Sequence, residues 1–232
     1  MTTSASLICA ETRTPLSPIS RRTLGDNVLE TLRKAIISGA FAPGDHVAEG
    51  VLAQQLGVSR APVREAMMNL EREGLLEFDK RGAALVKIFT DADFEEIFSL
   101  RLALETMAAR LAASRLTAAD GARLEANIAQ TQEATTLLAV TLLDVEFHEL
   151  IVESAGHARL RTCWKNLRHQ IEVWLGRLQS RRETPHDTTR DDTARYHQLL
   201  LEVIRSGDGR KAEDAMRAHI EGWREHSFPK AR

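Results

Sequence analysis

The chain has 232 residues, 43% of them apolar and 28% charged, the balance of an ordinary folded protein rather than a disordered or fibrous one. Its 31 lysines and arginines against 33 aspartates and glutamates leave a net charge of −2. That excludes a polybasic protein that grips its partner by bulk charge, but not a local basic surface. No apolar run approaches the roughly 18–20 residues of a membrane span, and the first twenty residues lack the basic and apolar segments of a secretory signal. Cys9 and Cys163 build neither a disulfide framework nor a thiolate metal site, so the expectation is a cytoplasmic protein with free thiols and no membrane partner.

Residues 1–20 are rich in Ser, Thr and Pro without periodicity and are expected to form a flexible tail. A first helix is expected from about Leu24 to Ser38, with Val28, Leu29, Leu32, Ile36 and Ile37 on one face. Gly39 stops it, and Pro43-Gly44-Asp45 makes a turn. A second helix, Glu49 to Leu56, ends at Gly57, and a third runs from Ser59 to about Glu73, with Ser59 as N-cap and Pro62 in the first turn. Leu75 to Phe78 and Ala83 to Ile88 then flank a polar turn, a β-hairpin in which Gly82 takes the positive φ. Two helices joined by a tight turn and followed by a hairpin predict a winged helix-turn-helix over residues 21–89.

The chemistry of the third helix sits at its start. Arg60 and Arg64 are four residues apart on one face, at the end of a recognition helix that meets base edges in the major groove. A guanidinium there can donate two parallel hydrogen bonds to guanine, worth about 1–3 kcal/mol of discrimination. Ser59, the first amides of the helix and Arg33 can hold phosphates, as can Lys80 and Arg81 at the wing tip, which can also enter the minor groove. The alternative is a solvated face on which Arg60 and Arg64 pair with Glu65 or Glu71.

The run Pro43-Gly44-Asp45, Leu52 to Ala66 and Leu70 to Leu76 resembles the DNA-binding domain of GntR-family bacterial transcription regulators, almost without gaps over residues 22–88. The resemblance implies a homodimer on palindromic double-stranded DNA. The candidate DNA contacts are Arg33, Ser59, Arg60, Ala61, Arg64, Lys80, Arg81 and Gly82. Ala61 stands where many members carry Thr, and His46 where Arg or an apolar residue is usual.

Residues 90–232 read as an all-α antiparallel bundle. Thr90 and Thr117, each followed three residues later by Asp, are capping-box starts, and breaks are expected near Ser154–Gly156, Glu183–Asp187 and Gly207–Gly209. Phe94, Ile97, Phe98, Arg101, Leu104, Glu105 and Ala108 form the inner side of its first helix. Asp144 and His148 lie at i and i+4. His197 and His219 are each eleven residues from the turn residue Asp208, so a helical hairpin brings them level. Three imidazoles and a carboxylate suit Zn, Ni, Mn or Fe as divalent ions and leave a position for water or ligand. The alternative is a set of unrelated core and surface histidines.

Phe98 to Glu105, Asp144 to His148, Tyr196-His197, Gly207-Asp208 and Ala215 to Ile220 resemble the FCD ligand-binding domain of FadR-like GntR regulators. The resemblance implies a divalent metal on Asp144, His148, His197 and His219, and a small carboxylate effector beside it with Arg101 as its partner. For Arg101 the alternative is a buried pair with Glu105 or another carboxylate. His157 replaces a usual Asn, Cys163 is expected in the core, and Arg168, His169, Trp174 and Arg177 are further pocket candidates. The function implied is a ligand-responsive repressor and not an enzyme. Glu146 and Glu149 flank His148, but successive helix positions diverge and neither a zinc-protease signature nor a nucleophile elbow is present, which disfavours a metal-dependent hydrolase or lyase.

Overall fold

The computed structural model describes the backbone of residues 23–180 and 186–227, and their side chains except at 177–180, 186–188 and 223–227. The tail expected over residues 1–20, most of the break expected near Glu183–Asp187 and the side chain of Arg177 lie outside the described residues. Helix α1 (Leu24–Ile37) starts at a reciprocal cap, in which the Thr23 hydroxyl accepts from the Asp26 amide and the Asp26 carboxylate accepts from the Thr23 amide. It buries Val28, Leu32, Ile36 and Ile37, the stripe expected from their spacing. Helix α2 (Glu49–Leu56) ends at Gly57, whose φ of 66° is the left-handed cap that only glycine takes without strain. Helix α3 (Arg60–Arg72) follows at once and packs on α1 and α2 through Val63, Ala66, Met67 and Leu70. Ser59 occupies its N-cap position with extended backbone, but its hydroxyl makes no capping hydrogen bond.

The wing has a strand more than expected. Strands β2 (Leu76–Phe78) and β3 (Ala84–Val86) form the hairpin, and β1 (His46–Val47) adds to the other side of β3, giving the order β1-β3-β2. The register sets His46 opposite Leu85 and Leu76 opposite Val86. The carboxylate of Asp79 accepts from the amides of Arg81 and Ala83, and Gly82 turns the chain with φ 79°.

Among the described residues the second module is a bundle of six helices: α4 (Asp91–Ala113), α5 (Ala118–Glu133), α6 (Leu137–Ser154), α7 (Ala158–Ser180), α8 (His186–Arg205) and α9 (Gly209–Ser227). Both capping boxes form, Thr90 with Asp93 and Thr117 with Asp120. The inner side of α4 is as expected except Leu104, which is only half-buried. Helix α4 packs on α9, α5 on α6 and α8, and α6 on α7. Phe147, Trp164, Ile171, Trp174, Leu201 and Ile204 are among the large side chains removed from water, where burial of an apolar side chain is worth about 1.5–3 kcal/mol of transfer free energy. Helix α7 also touches the first module: it packs on α1, and the Gln170 side-chain amide donates to the Glu73 carbonyl (3.1 Å). Cys163 is exposed on α7, correcting its expected place in the core, because the buried side of that helix runs through Leu160, Trp164, Leu167 and Ile171.

Candidate metal centre and DNA-reading surface

Helix α6 carries Asp144 and His148 one turn apart, α8 carries His197 and α9 carries His219. One ligand atom from each lies within 4.8 Å of all the others. His148 Nε2 and His219 Nε2 are 3.2 Å apart, and His197 Nε2 is 3.2 Å from Asp144 Oδ1. Asp144, His148 and His197 are buried, and His219 reaches partly to the surface. The symmetry of His197 and His219 about Asp208 therefore does bring the two rings together.

Protein partners alone leave the cluster unsatisfied. Asp144 Oδ1 and His197 Nε2 are buried and, despite their proximity, neither makes a hydrogen bond of acceptable geometry. Each orphaned group costs about 1–3 kcal/mol if nothing else meets it. The facing Nε2 atoms of His148 and His219 point two lone pairs at one place unless one ring carries a proton there. A divalent cation satisfies all four groups at once, so these residues fit a metal.

The surroundings prepare the ligands. His148 Nδ1 lies 2.6 Å from Glu105 Oε2, off the line of an ideal hydrogen bond. A proton kept on Nδ1 by that carboxylate leaves Nε2 free as a ligand. Glu105 Oε1 accepts from Arg101 Nε (3.0 Å) and Trp164 Nε1 (2.9 Å). Burial alone would raise the Glu105 pKa, but Arg101, His148 and Trp164 outweigh it and hold the group at about 2. Burial likewise opposes ionisation of Asp144, and the contacts with His197, His148 and the Arg101 guanidinium overcome it, so its pKa falls well below the carboxylate range. His197 is pushed down by burial against the pull of Asp144, and His219 by burial and the neighbouring imidazoles. Both rings are thus held neutral, as metal ligands must be. The Phe147 ring stacks on His197 (centroids 3.8 Å, planes 6° apart) and fixes its rotation.

Arg101 forms the buried pair with Glu105 that was weighed beside its effector role. It is buried, pairs with Glu105, lies 3.9 Å from Asp144 Oδ2 and stands over the Trp174 ring at 6.0 Å. Sequence reasoning missed the support given by Glu105, Trp164 and Phe147. The i, i+4 spacing of Arg101 and Glu105 was the available signal for the first, and nothing marked Trp164. His157 is not at the metal; its ring Nδ1 accepts from the Leu160 amide at the start of α7 (3.2 Å).

On the other module, Ser59, Arg60, Ala61 and Arg64 are exposed together at the start of α3, and Lys80, Arg81 and Gly82 are exposed at the wing tip. Arg64 is paired, but with neither Glu65 nor Glu71: it makes a two-pronged contact with Glu49 of α2. Arg33 is occupied elsewhere. Its Nε and Nη2 donate to Glu73 (3.0 and 2.6 Å) and its Nη1 to Glu30 (2.7 Å), partners that the sequence reading did not foresee beside the expected phosphate contact. These bonds place the guanidinium between a carboxylate of α1 and one at the end of α3. His46, in β1, is exposed.

Comparison with known proteins assigns both modules. The model described as "Bacterial regulatory proteins, gntR family" matches residues 24–86, and that of the FCD domain matches residues 96–222. The chain is 30% identical over 199 residues to the HTH-type transcriptional regulator YdhC of Bacillus subtilis, covering 84% of this chain and 87% of that protein. It is 28% identical over 206 residues to the gluconate operon transcriptional repressor of the same organism, covering 84% and 81%. In fold it is similar to E. coli McbR/YncC, with a TM-score of 0.73, 24% identity, and 89% of this chain and 99% of that one covered. Among the described residues no helix is long and apolar enough to cross a membrane. A winged helix-turn-helix joined to a helical bundle, with both matched along their lengths, makes this chain a member of the GntR family of bacterial transcription regulators, with an FCD domain, and not an enzyme.

Proposed function

We propose that this regulator is a cytoplasmic repressor, active as a homodimer, that binds a palindromic operator through α3 and the wing. Its bundle binds a divalent metal and a small carboxylate effector that shifts operator affinity. Arg60 and Arg64 read bases. Ser59, the amides flanking Ala61, Lys80, Arg81 and the backbone at Gly82 hold phosphates. Asp144, His148, His197 and His219 hold the metal, which supplies Lewis acidity to attract a carboxylate when bound. Arg101, a buried cation 3.9 Å from Asp144, favours negative charge arriving beside it. The observation that carries the metal is the pair of orphaned buried atoms, Asp144 Oδ1 and His197 Nε2. An effector changes DNA affinity only by binding the competent and incompetent arrangements unequally.

The test uses the full chain, stripped of metal and reloaded with zinc, in thermal-shift measurements against a panel of small carboxylic acids. An acid that raises the melting temperature only in the loaded protein, and weakens binding to a duplex selected from a random pool, supports the whole reading. Melting indifferent to both chelation and zinc overturns the metal. Equal stabilisation by acids with and without zinc leaves the metal as a clamp on the bundle and overturns its role in effector binding.

A further inference from the structure

The first two residues of α2 receive Arg60 and Arg64 from the start of α3. Arg64 Nε is 2.8 Å from Glu49 Oε2 and its Nη2 is 3.0 Å from Glu49 Oε1, a parallel fork. Arg60 lies over the next residue: a Cβ on Gly50 would sit 3.5 Å from its Nη2. Glu49 lies in the first turn of α2, at the positive end of the helix, which favours its charged form. The hydrogen bonds from Arg64 also lower its pKa.

A guanidinium has more than one edge. The fork with Glu49 uses the edge formed by Nε and Nη2. The end edge, Nη1 with the second proton of Nη2, is left for another partner. Guanine presents two acceptors in the major groove, O6 and N7, at the spacing that such an edge matches. Arginine is long and rotamer-rich, and a reading arginine loses that freedom when it docks unless something has already fixed it. Arg64 is 67% exposed while Glu49 is 23% exposed, so the carboxylate is the anchored partner and the guanidinium the presented one. A pair this exposed contributes little to stability, which separates a role in reading from one in folding.

We propose that Glu49 is a positioning residue for base recognition, clamping one edge of Arg64 so that its other edge is presented to a guanine of the operator. The inference rests on the DNA-reading role proposed above for α3. It makes specificity at one base pair in each half-site depend on a residue that touches no base.

The experiment uses the full-length native chain, Glu49→Gln, Arg64→Lys and the double variant, with a double-stranded DNA pool randomised at its centre. The native protein selects a preferred duplex, and mobility shifts then compare it with copies carrying adenine in place of each guanine in turn. Glu49→Gln is expected to melt with the native protein while losing about tenfold of its discrimination at one guanine per half-site. It is expected to add nothing in the Arg64→Lys background. Unchanged discrimination overturns the proposal. So does tighter binding by Glu49→Gln, which would mean that the carboxylate masks Arg64. A fall in melting temperature with equal weakening at every position also overturns it, in favour of a strut between α2 and α3. A native protein that selects no sequence overturns the DNA-reading role itself, and this inference with it.

Discussion

Replacing Arg33 with alanine separates a strut from a phosphate contact. Arg33 and Glu73 are 12% and 21% exposed, so the fork between them is shielded, whereas Glu30 at 43% is largely in water. The exposed pair contributes at most about 0.5 kcal/mol. Charge-assisted hydrogen bonds to Glu73 contribute about 1.5–3 kcal/mol. Glu73 also occupies the C-cap of α3, where the helix end is negative, so losing its counter-charge costs about 0.3–1 kcal/mol more. Arg33→Ala is therefore expected to lower unfolding free energy by about 2–4.5 kcal/mol in urea titrations. The slope of log affinity against log salt for operator binding should stay unchanged. A phosphate contact predicts the reverse: stability within about 0.5 kcal/mol of native and a slope shallower by about 0.9. That pattern would refute the strut.

Glu105→Gln is expected to weaken zinc binding by about 10–100-fold in competition with a chromophoric chelator, because it no longer anchors the His148 ring, and unchanged affinity would exclude that support. Native protein in zinc at 100 times its dissociation constant should gain about 2.7 kcal/mol of stability over chelated protein, read as a melting shift. Gly82→Ala is expected to cost about 1 kcal/mol, since φ there is 79°, and a smaller loss in denaturant titration would mean that the turn relaxes. Cys163 should react with a thiol reagent in the folded protein as fast as in urea; protection until unfolding would return it to the core.

The parts of the fold that local chemistry controls were legible. The bounds of α2 follow from Gly57 and the tight spacing to α3, and the starts of α4 and α5 from Thr-x-x-Asp boxes. The gathering of Asp144, His148, His197 and His219 was legible because two of the histidines lie at equal distances from one turn, a relation that survives any choice of side-chain rotamer. What failed depended on partners distant in the chain. β1 is two residues long and exists only because β3, about forty residues on, offers an edge. The occupation of Arg33 is set by Glu73, likewise forty residues away. The Glu49–Arg64 fork bridges two helices whose relative angle no pattern of residues states. Cys163 was misplaced because which side of α7 is buried depends on the helices packed against it.

The order of strands in the wing has a bearing on how such a reader changes over time. β3 is central, and β1 on its far side runs, after one residue, into α2. The wing tip is thus bolted to the same segment that seats Arg60 and Arg64. Under the proposed reading of DNA, backbone grip and base choice share one mount, so a substitution at His46 or Val47 is expected to shift both together. A lineage acquiring a new operator is freer to exchange the exposed residues of α3 than to move either contact separately.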